Sequence, residues 1–165
     1  MRITVVTPLH FITGEAQAGE QRLSDFLGNL LLSTLKLTDV TVARLSEPKE
    51  TIASHHEAMI LGRDIICGFE LEPRPSRAGG GSFVQKHAHS LFLASFPVEI
   101  EGRVHALSAT DLDMKSMLTT LADRFLPVTD ATVTICTASR YSLRLPAVMV
   151  NARRLSYMAR IAPAP

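Results

Sequence analysis

The chain has 165 residues, 46% of them apolar and 20% charged, a balance too apolar for a disordered chain and ordinary for a globular one. A net charge of +1 gives no overall pull toward nucleic acid or anionic membrane, and two cysteines are too few for a disulfide framework. No uninterrupted apolar run approaches the ~18 residues of a membrane span, and the apolar start Ile3 to Val6 breaks at Thr7-Pro8, so a soluble, cytoplasmic protein is expected.

In chain order, Ile3 to Val6 and Phe11 to Ala16 read as two strands with a turn at Pro8 between them. Gly14 falls inside the second, and a mid-strand glycine marks a bulge or a sharp bend. Leu23, Phe26, Leu27, Leu30 and Leu31 then follow the spacing of one apolar helix face. Asp25 sits early in that helix, where the dipole favours an anion. Thr38 to Leu45 reads as a strand, and its opening Thr38-Asp39 is expected to bond the backbone at a loop-to-strand corner. A hairpin is predicted next, residues 57–61 and 64–71 around Gly62-Arg63. Its last strand would bury Ile65, Cys67, Phe69 and Leu71 on one face.

Glu72 to Ser82, rich in Pro, Arg and Gly, reads as a linker, and it lacks the Gly-Lys-Ser/Thr ending of a phosphate loop. Beyond it the pattern returns. Leu37-Thr38-Asp39-Val40-Thr41-Val42 reappears as Val128-Thr129-Asp130-Ala131-Thr132-Val133, 91 positions on. Gly14 returns as Gly102 at a shift of 88, and Met59-Ile60-Leu61-Gly62-Arg63 as Met149-Val150-Asn151-Ala152-Arg153 at a shift of 90. Such drifts are what loop insertions produce, so the chain reads as a duplicated module: residues 1–73, a linker 74–89, and residues 90–165. The second copy predicts strands at 91–96, 98–104 and 129–136. Its helix face is Met114, Met117, Leu118, Leu121 and Ala122, with Thr110 and Asp113 in capping-box spacing. A final hairpin, 143–150 and 154–161, would bury Leu155, Tyr157, Ala159 and Ile161. A module of about 70 residues buries only ~60% of its unfolded surface, so the two copies are expected to pack into one body.

Each copy is thus mainly β (α+β), about five strands with one helix between strands 2 and 3. With its bent-strand glycine (Gly14, Gly102) and the segment Ile60-Leu61-Gly62-Arg63-Asp64-Ile65-Ile66, this order resembles the Sm-like small barrel. The Sm pattern has the basic residue before the glycine, whereas here Gly62 precedes Arg63 and the second copy has Asn151-Ala152-Arg153-Arg154. Arg22-Leu23-Ser24-Asp25-Phe26-Leu27 followed by the Leu-Thr-Asp-Val strand resembles the core of a small uncharacterised bacterial domain family. Neither resemblance implies a catalytic residue or a cofactor.

Candidate chemistry is sparse. Cys67 and Cys136 fall in apolar strands, where a thiol acts as a small hydrophobe. Of six histidines, His87 and His89 alone have the spacing to share a strand face. They lie beside the linker, and solvated loop residues are the expectation over metal ligands. Arg22, Asp25 and Asp39 are candidates for a polar site at the helix start, or for a bridge tying helix to strand. A basic group, Arg140, Arg144, Arg153, Arg154 and Arg160, with Arg74, Arg77 and Lys86, offers phosphate contacts in the second copy. Residues 1–73 carry 6 Lys/Arg against 10 Asp/Glu (−4), and residues 74–165 carry 11 against 6 (+5). Opposite signs suit contact between halves or between chains.

The expectation is a non-catalytic scaffold or protein-binding protein, acting as a homo-oligomer through exposed strand edges. The alternatives are RNA binding by Arg153, Arg154 and Arg160, and a metal-dependent enzyme using histidines. No cofactor and no membrane partner are expected.

Overall fold

The computed structural model describes residues 1–28, 34–72, 87–106, 114, 125–137 and 141–161. The fold is mainly β. The first half comprises β1 (Arg2–Val6), β2 (His10–Ala16), α1 (Leu23–Gly28), β3 (Thr34–Arg44), β4 (Glu47–Leu61) and β5 (Cys67–Glu70). The second comprises β6 (His87–Ser95), β7 (Val98–Ala106), β8 (Phe125–Ile135), β9 (Tyr141–Asn151) and β10 (Tyr157–Arg160). The ten strands of the described residues form one open antiparallel sheet, ordered β10-β6-β7-β8-β9-β5-β1-β2-β3-β4.

The pairing of the second half follows that of the first. In each, the fifth strand returns to the first, giving β5-β1-β2-β3-β4 and β10-β6-β7-β8-β9. Registers agree as well: Arg2 faces Glu15 as Ser90 faces Arg103, and Leu35 faces Ile60 as Leu126 faces Val150. Bonds outside the ladders recur too, Ile66 N–H to Val6 O and Ser156 N–H to Ala94 O both at 2.7 Å.

Alternation drives these strands together. On β7, Val98, Ile100 and Val104 are buried while Glu99, Glu101 and Arg103 face water. Gly14 and Gly102 each stand at a register shift, where two residues of the partner strand oppose one glycine. Those two are Asp39-Val40 and Asp130-Ala131, and each aspartate takes a positive φ (48° and 49°). This is a β-bulge, with Asp in the left-handed conformation that short polar side chains tolerate. The facing strand comes close: a methyl on Gly14 would lie 2.8 Å from Thr38 O, and one on Gly102 would run into Val128 Cγ1 and lie 3.0 Å from Thr129 O. The Thr-Asp pairs therefore sit within strands β3 and β8, and the expected loop-to-strand corner is corrected. Even so, Thr38 Oγ1 donates to Glu15 O (3.5 Å) and Thr129 Oγ1 to Arg103 O (3.4 Å), across the bulge.

The closing hairpins are corrected too. β4 pairs with β3 and β5 with β1 and β9, so β4 and β5 are not partners. Between them a 3-10 turn, Gly62–Asp64, redirects the chain, as Ala152–Arg154 does between β9 and β10. A turn that steers a strand to a distant partner looks locally like one that folds it back. The predicted phase of the last strand also fails in the second half. β10 buries Met158, while Tyr157 and Ile161 are exposed, and Leu71 is exposed in the first half. β5 is flanked on both sides and buries Cys67, Gly68 and Phe69 in succession.

The halves meet where β5 pairs with β9, Cys67 opposite Val150 and Gly68 opposite Met149. Side chains interleave across this junction. Phe125 and Met149 of the second half join the first half's core of Ile3, Val5, Leu27, Leu35 and Leu37. Val6, Phe11, Ile66 and Phe69 join the second half's core in return. Helix α1 buries Leu23 and Leu27 and packs against β8 and β9, bracing the junction. Leu30 and Leu31 of its expected face, most of the second helix, and residues 74–86 of the linker lie outside the described residues. Met114 packs against the second core, and β6 begins at His87, within the stretch expected to be linker.

Candidate functional site

Two places stand out: the β5–β9 junction, and the two ends of the sheet. Asn151 is fully buried at the end of β9. Its backbone N–H donates to Ile66 O and its Nδ2 to Ile65 O, both at 2.9 Å, while its Oδ1 accepts from Arg153 N (3.1 Å). One side chain thus clamps the start of β5 and caps the following 3-10 turn. Arg154 adds a second tie, Nη1 donating to Arg63 O at 3.2 Å, so the two 3-10 turns touch. Neither role was anticipated. The signal was a polar residue ending the apolar run Val148-Met149-Val150, at the place where the first half has Leu61.

β4 and β10 are the ends of the sheet among the described residues. On β4, Met59 is 58% exposed and Leu61 42%, whereas their counterparts Met149 and Asn151 on β9 are 5% and 0% exposed. Tyr157, at the start of β10, is stacked on Phe92 with ring centroids 5.6 Å apart and is otherwise open to solvent.

The residues picked out from the sequence are not drawn together. Arg22, Asp25 and Asp39 are all exposed, and no ion pair joins them among the described residues, so the bridge between helix and strand is not formed. Asp25 accepts instead from Ser24 Oγ (3.3 Å). Asp130, the counterpart of Asp39, does form an ion pair, with Arg103 at 3.4 Å. Arg153 and Arg160 are exposed and Arg154 is half-buried against the first half; Arg140 lies outside the described residues.

His87 and His89 are half-buried strand residues of β6 rather than loop residues. No group of three or more His, Cys, Asp or Glu is placed to hold a metal ion among the described residues. Cys67 is buried, and burial pushes its thiol up to about 12, far from the thiolate. Cys136 is exposed just beyond β8, correcting its expected burial. A cleft of about 240 Å³ runs from the first half to β9, lined by Thr4, Phe11, Thr13, Thr41, Tyr141 and Leu143 among others. Thr4 and Thr13 spend their hydroxyls on each other at 2.8 Å. Among the described residues that line the cleft there is no carboxylate, imidazole, amine, guanidinium or thiol; its polar side-chain groups are threonine hydroxyls and the Tyr141 phenol.

No helix of the described residues is long and apolar enough to cross a membrane. No protein-family model, curated protein or solved structure matches the chain.

Proposed function

We propose that the chain is a non-catalytic scaffold that works as an assembly of its own copies, built from a duplicated five-strand module of the Sm-like small-barrel kind. The duplication is supported by the two matching strand orders, the bulges at Gly14 and Gly102, and the paired 3-10 turns. A bulge bends its strand, which is how a short sheet curls toward a barrel. The observation that carries the scaffold reading is the β5–β9 pairing: one module already binds the other edge to edge, and the same kinds of edge remain at the ends.

Light scattering on the purified chain at micromolar concentration tests this. Masses above the 18.0 kDa of one chain are expected, and a single species at that mass contradicts the reading.

A second reading, RNA binding, draws on exposed Arg144, Arg153 and Arg160 in the second half. It calls for RNA affinity that falls steeply with salt. Binding that is absent, or indifferent to salt, removes it.

A further inference from the structure

We propose that copies of this chain join head to tail, β4 of one against β10 of the next, repeating between chains the pairing that β9 and β5 make within one. The proposal rests on the scaffold reading and names its partner and surface.

The halves are offset by 90 residues over these strands, so β4 is the counterpart of β9 and β10 the counterpart of β5. Within the chain the counterparts meet. Between chains, the strands at the two ends of the sheet among the described residues are one of each type. A contact joining two unlike edges leaves one of each unused however many units are added. Such a contact is heterologous, and it continues until a ring closes or a filament grows.

Carrying the β5–β9 register across fixes the new one. Cys67 opposite Val150 becomes Tyr157 opposite Ile60, and Gly68 opposite Met149 becomes Met158 opposite Met59. The next positions place Ala159 opposite Ala58 and Arg160 opposite Glu57. The ladder inside the chain ends at Gly68 and Met149, so this contact takes two residues of pairing beyond it; there Arg160 would join Glu57, which already pairs with Lys36, and opposite charges across a strand pair favour it. The backbone bond from Asn151 N–H to Ile66 O has as its counterpart a bond from Leu61 N–H to Ser156 O of the next chain.

Exposure fits the same picture. Met59 and Leu61 are apolar and open to water where Met149 and Asn151 are covered by β5 and the residues leading into it. A long edge strand with exposed apolar side chains is a template for another strand unless something covers it. The cover of matching register and charge is β10 of another copy.

Complementary blocking tests this. One variant carries Met59→Glu with Leu61→Glu, and a second carries Tyr157→Glu with Ile161→Glu. All four side chains are exposed, so far-UV circular dichroism should match that of the parent, while the melting temperature falls with the loss of assembly and, in the second variant, of the Tyr157–Phe92 stack. The parent should run at multiples of 18.0 kDa and each variant alone at 18.0 kDa. An equimolar mixture, which retains one intact β4 and one intact β10, should give a one-to-one pair and nothing larger. If the parent assembles but either folded variant still does so alone, or the mixture stays unpaired, head-to-tail pairing is overturned while the scaffold reading stands. A parent that stays at 18.0 kDa overturns both.

Discussion

β9 and β4 hold the same place in their halves and share a register, yet their final residues live in different surroundings. β9 ends in Val148, Met149, Val150 and Asn151, all buried, because β5 and α1 lie against them. β4 ends in Met59, Ile60 and Leu61, of which Ile60 alone is buried. The strands themselves differ little in apolar content here, so the difference comes from the neighbour. A strand's burial is a property of the sheet around it rather than of its own sequence.

Substituting the same residue on both strands sharpens this contrast most. Met149→Glu forces an uncompensated carboxylate into the junction and is expected to cost about 3–5 kcal/mol in urea unfolding. A loss under about 1 kcal/mol would mean that the junction is loosely packed. The bulges come next. Gly102→Ala drives a methyl into Val128 and Thr129, whereas Gly14→Ala meets chiefly Thr38 O, so both should destabilise by about 1–3 kcal/mol, Gly102 more. Equal melting temperatures for parent and variants would show that the bulges do not need glycine.

Cys67 reports on the junction through pH. Its folded thiol titrates well above the ordinary value of 9.0, at about 12, because burial disfavours the thiolate. The unfolded chain therefore gives up this proton first as the solution turns alkaline. The stabilisation is complete below about pH 9 and is lost toward pH 12, at about 1.4 kcal/mol per pH unit for this group. Cys67→Ser should flatten that slope; an unchanged slope would assign it to other groups. The smallest effect belongs to Met59→Glu. Its side chain is open to water, so the stability of the isolated chain should move by less than about 0.5 kcal/mol, read by the same urea titration.

Much of the local pattern was legible in the sequence. The glycine inside an alternating strand announced the bulge, because alternation cannot continue through a residue without a side chain facing a crowded backbone. The alternation of β7 followed from its period-two sequence, with Val98 and Ile100 inside and Glu99 and Glu101 outside, whereas β1 buries Ile3 to Val6 without a break. What misled was non-local. The Gly62-Arg63 turn carries no trace of the fact that β5 belongs beside β1, some 60 residues earlier, a pairing made by the sheet rather than by the turn. Tyr157 has the alternation of a buried residue, but β10 turns its other face inward and buries Met158 instead. Asn151 could be recognised as a clamp only once Ile65 and Ile66 were seen against it. Arg22, Asp25 and Asp39 looked like a site because the helix start and the strand that follows it were expected to approach each other. All three are exposed and none pairs with another, Asp25 bonding Ser24 instead.

Hydrogen exchange at two protein concentrations tests the central claim most directly. Residues 147–151 and 67–70, paired inside the chain, should be protected at both concentrations alike. Residues 57–61 and 157–160 should gain protection together as concentration rises, since each is the other's proposed partner in the next copy. If exchange at 57–61 and 157–160 is unchanged by concentration, or rises at one edge without the other, the two edges do not meet.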